Sequence, residues 1–103
     1  MQTILKSDKW SVHWSCCYSE GTIYLQENMP EIIILDLKLP DGNGFDILRI
    51  IREQQINVRV YIFSINSAMR NSCLRNGADG FFDKNTDGDA LVETVISSVN
   101  KLL

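Results

Sequence analysis

Apolar positions along the chain switch between two periods, two residues and about 3.6. Residues 10–17 alternate, with Trp10, Val12, Trp14 and Cys16 on one face and Ser11, His13, Ser15 and Cys17 on the other. Alternation with one polar face predicts a strand at a sheet edge. Residues 19–28 predict a helix turning Ile23, Tyr24 and Leu25 inward and ending before Pro30. Ile32-Ile33-Ile34-Leu35 is a continuous apolar run, the pattern of a parallel strand covered on both faces. Leu37 to Gly44 is dense in turn residues and predicts a loop. Phe45, Ile47, Leu48, Ile50 and Ile51 recur at helical spacing up to about Gln54. Val58, Val60 and Ile62, with Tyr61 and Phe63 between them, predict a strand ending at Ser64. A helix is expected from about Ser67 with Met69, Cys73 and Leu74 on one face, closed by Gly77 as a left-handed cap. Phe81 and Phe82 predict a short strand ending near Lys84. Thr86-x-x-Asp89 resembles a capping box. Leu91, Val92, Val95, Ile96, Val99 and Leu102 then predict an amphipathic terminal helix.

Strand and helix alternate throughout. That order predicts an α/β fold, a parallel doubly wound sheet with helices on both faces and right-handed crossovers. In such sheets ligands gather at the carboxyl ends of the strands. A length of 103 residues predicts one domain spanning residues 1–103, with no output domain attached. The net charge of −3 argues against nucleic-acid binding by bulk charge. No apolar stretch approaches the roughly 18 residues of a membrane span, and no secretory signal opens the chain. Cys16, Cys17 and Cys73 are odd in number and form no Cys-x-x-Cys, so neither a disulfide framework nor a zinc site is expected. They read as small buried hydrophobes in a reduced, cytoplasmic setting. His13, the only histidine, reads as a solvated edge residue, and Trp10 and Trp14 as core or interface.

Three polar residues fall at three predicted strand ends: Asp36, Ser64 and Lys84. Each follows an apolar run, so all three are expected in one crevice. A carboxylate can accept a phosphoryl group as a nucleophile. An ammonium can neutralise the phosphoryl oxygens, and a hydroxyl can donate to one of them after transfer.

Ile32-Ile-Ile-Leu-Asp36-Leu-Lys-Leu-Pro40-Asp-Gly-Asn-Gly44 resembles the phosphoacceptor segment of the response-regulator receiver domain. Gly77-Ala-Asp-Gly80-Phe-Phe-Asp-Lys84 resembles the same family's segment leading to its lysine. The resemblance covers about residues 7–103 and leans toward bacterial regulators that carry a helix-turn-helix output domain. It implies a flavodoxin-like receiver fold and a cytoplasmic phosphoprotein in a two-component phosphorelay, not an enzyme. Asp36 would be the phosphoacceptor, Lys84 the phosphate-pairing lysine, Ser64 the switch hydroxyl and Phe81 the aromatic switch. Lys38 would lend its backbone carbonyl to Mg²⁺. Pro40 and Gly44 would shape the loop, and Asn66 would lie near the position that tunes phosphate lifetime. Asn85 stands where the family often has proline. The implied partner is a histidine kinase or phosphotransfer protein, with no nucleic acid and no membrane bound by this domain.

The front of the chain departs from the family, which ends its first strand in an acidic pair that holds Mg²⁺. Too few residues precede Asp36 for two strands and two helices. In one reading Met1–Lys6 is the tail of the first helix and the first strand is missing. In the other, Gln2–Ser7 is the first strand, the first helix is missing, and Asp8 holds one acidic position while Lys9 replaces the other. Ser7-Asp8 followed by Trp10 fits the first. Either predicts weak or absent Mg²⁺ binding, and a lost strand predicts self-association as a homodimer or swapped oligomer. Two functions follow: a phosphoacceptor at Asp36, impaired by the loss of the acidic pair, or a pseudo-receiver serving as an interaction or dimerisation module. Other classes fit less well. Gly42-Asn-Gly44-Phe-Asp-Ile47 lacks the third glycine of a dinucleotide loop. Lys38 stands where an aspartate-nucleophile phosphohydrolase would want its second acid, and no P-loop occurs. Asp41, Asp83, Asp87 and Asp89 read as turns and caps.

Overall fold

The computed structural model describes residues 31–39 and 41–102, together with Ser19. Among them run β1 (Ile32–Leu35), β2 (Lys38–Leu39), β3 (Gly42–Asn43), α1 (Gly44–Glu53), β4 (Arg59–Ser64), a 3₁₀ turn (Ser67–Met69), α2 (Arg70–Arg75), β5 (Gly80–Asp83) and α3 (Gly88–Leu102). The predicted strand 10–17, the predicted helix 19–28 beyond Ser19, and Asp8, His13, Trp10, Trp14, Cys16, Cys17 and Pro40 lie outside the described residues. Both readings of the chain's start do as well.

Strands β1, β4 and β5 form a parallel sheet in that order. Leu35 lies opposite Ile62, and Phe63 opposite Phe82. Because strand side chains alternate, each strand feeds two cores. Leu35, Val60, Ile62 and Phe81 pack with Ile47, Leu48 and Ile51 of α1 and Cys73 of α2. Tyr61 and Phe63 pack with Leu91, Val95 and Val99 of α3, against half-buried Ile32, Ile34 and Phe82. Helices on both faces of a parallel sheet are the predicted architecture. Full burial of a side chain such as Leu48 or Ile51 contributes about 1.5–3 kcal/mol relative to exposure.

Four local expectations need correction. The segment 37–44 is not a plain loop: β2 and β3 pair antiparallel, Lys38 with Asn43 and Leu39 with Gly42. The helix expected from Ser67 begins as a 3₁₀ turn, and Leu74 is exposed. Cys73 takes the core position of that six-residue helix, and the next residue is rotated by about 100° away from it. Thr86 does not cap α3, which starts at Gly88. Its hydroxyl donates to the Asp87 carboxylate, and the Asp87 carbonyl accepts from Leu91 N–H. Finally, Ile96 is 42% exposed. The buried stripe of α3 runs Leu91, Val95, Ser98 and Val99 instead, and Ser98 enters it because its hydroxyl meets the Tyr61 hydroxyl at 2.6 Å.

Helices α1 and α2 end in the same way. Ile56 N–H donates to Ile51 C=O and Gln55 N–H to Arg52 C=O; Ala78 N–H donates to Cys73 C=O and Gly77 N–H to Leu74 C=O. Both are Schellman caps, which need a left-handed residue. Gly77 supplies it at φ 100°, whereas Gln55 adopts φ 55° with a side chain attached. Gln55→Gly is therefore expected to stabilise the domain by about 0.5–1 kcal/mol, part of the left-handed strain being offset by glycine's freedom when unfolded. Urea denaturation checks it, and a lower midpoint would contradict it.

Candidate functional site

The site forms where the parallel strands end. Asp36 follows the last residue of β1, and Lys84 follows the last residue of β5. Lys84 Nζ donates to Asp36 Oδ2 in an ion pair whose side chains are 26% and 33% exposed, respectively. Lys38 N–H donates to Asp36 Oδ1 at 3.1 Å, so the β1–β2 turn fixes the carboxylate from the other side. The lysine comes to this level because Lys84 N–H bonds Ser64 C=O at 3.1 Å, extending the β4–β5 ladder by one residue. Its ammonium also stands 5.9 Å from the centroid of the Phe63 ring.

The β2–β3 hairpin closes tightly on the acid. Gly44 N–H donates to Leu37 C=O at 3.0 Å. A Cβ on Gly44 would lie 2.1 Å from the Asp36 carbonyl oxygen. Asn43 caps α1 by accepting Phe45 N–H at 2.8 Å.

Ser64 is buried on the other face of β4 from Phe63. Its hydroxyl accepts Asn66 N–H at 3.1 Å. It lines an open cleft of about 470 Å³ with Leu37, Lys38, Asn43, Asn66 and Met69. Asp36 and Lys84 touch, while Ser64 lines the cleft together with Lys38, whose backbone N–H bonds Asp36. Phe81 is buried in the first core, with the Arg70 guanidinium 5.1 Å from its ring centroid. Arg70 also reaches Asp87 at 3.8 Å.

Asp83 ends β5 and its carboxylate accepts Asn85 N–H at 2.7 Å, while Asp87, just before α3, accepts Asp83 N–H at 3.0 Å. Cys73 is buried, and burial pushes its thiol pKa up, which keeps it an unreactive thiol. No group of three or more potential metal ligands occurs among the described residues. Asp36, one of the two oxygen donors expected for a hard cation, lies at this edge with Lys38 N–H on its carboxylate. Lys84 and Lys38 N–H use two of the carboxylate's roughly four lone-pair sites. The rest, with a carbonyl, water and phosphoryl oxygens, meet the least that Mg²⁺ accepts. The contact of Lys84 with Phe63 is not visible in either residue's local sequence. Its signal was parity: Asp36, Phe63 and Lys84 fall on one sheet face once the strand register is known.

The family model of the response regulator receiver domain matches residues 1–96. The nitrate/nitrite response regulator protein NarL of Escherichia coli K12 is 32% identical over 79 residues, covering 74% of this chain and 37% of the relative. The chain therefore spans less than half the length of that relative. Among solved structures, the signal receiver domain of a putative Luxo repressor protein from Vibrio parahaemolyticus superposes with a TM-score of 0.80 at 25% identity, over 91% of this chain and 74% of that one. The non-phosphorylated HemR receiver domain from Leptospira biflexa gives a TM-score of 0.71 at 30% identity, over 86% and 71%.

Proposed function

The chain belongs to the response regulator receiver domain family, and from that premise we propose that Asp36 is its phosphoacceptor in a two-component phosphorelay. The observation that carries the reading is the Lys84 ammonium bonded to Asp36 Oδ2 at the carboxyl edge of the sheet. An Asp36 carboxylate oxygen forms the new P–O bond as the donor's P–N bond (phosphohistidine) or P–O bond (acetyl phosphate) breaks, and the leaving group departs with its electron pair. Lys84 follows the phosphoryl oxygens and balances their charge. Ser64 exchanges its bond from Asn66 N–H for a hydrogen bond donated to one of those oxygens, and Phe81 repacks in response. The phosphodonor is a histidine kinase or a phosphotransfer protein, and the domain acts as a switch, not as a turnover catalyst. Asp36 and the Lys38 carbonyl would hold Mg²⁺, which neutralises phosphoryl charge when bound. One carboxylate in that set supports weak binding.

The test is incubation of the chain with acetyl phosphate and millimolar Mg²⁺, read by intact mass and then by peptide mapping. A phosphoryl mass gain on the Asp36 peptide, labile to hydroxylamine, is expected. No gain overturns the phosphoacceptor reading and leaves the pseudo-receiver, an interaction module that keeps the fold.

A further inference from the structure

We propose that Phe63 is a positioning residue for this site: its ring is the platform on which the Lys84 ammonium crosses the sheet to Asp36. The proposal rests on the phosphoacceptor reading. In the strand order β1-β4-β5, the aspartate follows β1, the lysine follows β5, and Phe63 belongs to β4 between them. Leu35 is opposite Ile62, so Asp36, one residue on, draws level with Phe63. Ile32, Ile34, Tyr61, Phe63 and Phe82 all pack in the core beneath α3, and Asp36 and Lys84 continue the same parity.

The lysine therefore reaches the acid over one side chain. Lys84 Nζ bonds Asp36 Oδ2 while standing 5.9 Å from the Phe63 ring centroid. The ring is itself fixed: it is 8% exposed, and α3 begins against it, a Cβ at Gly88 falling 4.0 Å from Phe63 Cζ. An aromatic face attracts a cation and also covers the aliphatic stem of lysine. An aliphatic residue at 63 would fill much of the volume without that attraction. The lysine's four torsions would then be free to carry the ammonium into solvent, away from the carboxylate.

The experiment compares the full chain with Phe63→Leu, which removes the ring, and Phe63→Tyr, which keeps it. Competitive acylation of lysine amines measures Lys84 against exposed Lys38 without any phosphoryl group present. Phe63→Leu should raise Lys84 labelling about three- to fivefold and slow acetyl phosphate uptake about fivefold, and Phe63→Tyr should restore both. Unchanged labelling in Phe63→Leu, or equal changes in both variants, overturns the platform. Should Phe63→Leu not fold, Phe63→Met replaces it, with the same expectations and the same overturning results. If the parent chain takes up no phosphoryl group, the phosphoacceptor reading fails alone, and the labelling still decides on Phe63.

Discussion

Gly44→Ala is expected to cost the domain about 3–4 kcal/mol and to lower its melting temperature by roughly 15–25 °C. The new Cβ would sit 2.1 Å from the Asp36 carbonyl oxygen, 2.9 Å from the Asp36 carbonyl carbon and 3.1 Å from Leu37 Cα. All three are backbone atoms, so no rotamer change relieves the contact. The segment they belong to is tied on two sides, by the hydrogen bond from Gly44 N–H to Leu37 C=O and by the β2–β3 ladder. Helix propensity points the other way, since alanine exceeds glycine by about 1 kcal/mol in a helix interior. The sign of the result thus separates crowding from propensity. Thermal and urea denaturation followed by circular dichroism provide the measurement. A melting temperature within about 5 °C of the parent would show that Asp36 can move aside. In that case the position of the acid is softer than the close approach implies.

The same glycine shows what the sequence carried and what it withheld. The run 32–35, the helical spacing from Phe45 to Ile51 and the alternation from Val58 to Phe63 each report burial on a definite face. The strands β1 and β4 and the helix α1 appear where those patterns put them. Period reports which face is buried, but not backbone pairing between turn residues. The β2–β3 ladder therefore leaves no trace in the hydrophobic pattern. Period also fails where a polar group finds a partner inside. Ser98 occupies a core position of α3 because the Tyr61 hydroxyl waits across the interface, and Ile96, the more apolar residue, is left outside. On α2, Cys73 takes the core position, and Leu74, about 100° further round the helix, is exposed.

The site was legible to the extent that it depends on strand ends. Asp36 and Lys84 each follow an apolar run, and a parallel sheet brings such positions to one edge. Their contact also needs the strand register, which puts both on one face of the sheet. Parity across neighbouring strands depends on register, and register is a tertiary property. Leu35 opposite Ile62 puts Asp36 level with Phe63. This relation brings the Phe63 ring beneath the lysine. The acids at 83 and 87 each accept a backbone N–H within four residues, a local bond that needs no tertiary knowledge.

That contrast among acids makes Asp36→Asn decisive. The variant is expected to take up no phosphoryl group from acetyl phosphate, a fall of more than about a hundredfold, while keeping its fold. The carboxamide has the shape of the carboxylate but not its charge, and its oxygen can still accept Lys38 N–H, the bond that shapes the turn. The lost ion pair is about a quarter to a third exposed on each side, so stability should change by no more than about 1 kcal/mol. Loss of uptake with an unchanged unfolding curve therefore measures chemistry, not structure. Asp83 and Asp87 keep their carboxylates in the variant, but both are engaged with backbone N–H groups. Neither forms an ion pair with a lysine among the described residues. If Asp36→Asn gained the phosphoryl mass at one of them, any exposed carboxylate would suffice, and the lysine contact would carry no functional meaning. Asp36→Glu sharpens the point: it restores the charge but moves the oxygens one bond further along the chain. Uptake well below the parent's would show that the reaction needs the carboxylate where the β1–β2 turn and Lys84 hold it.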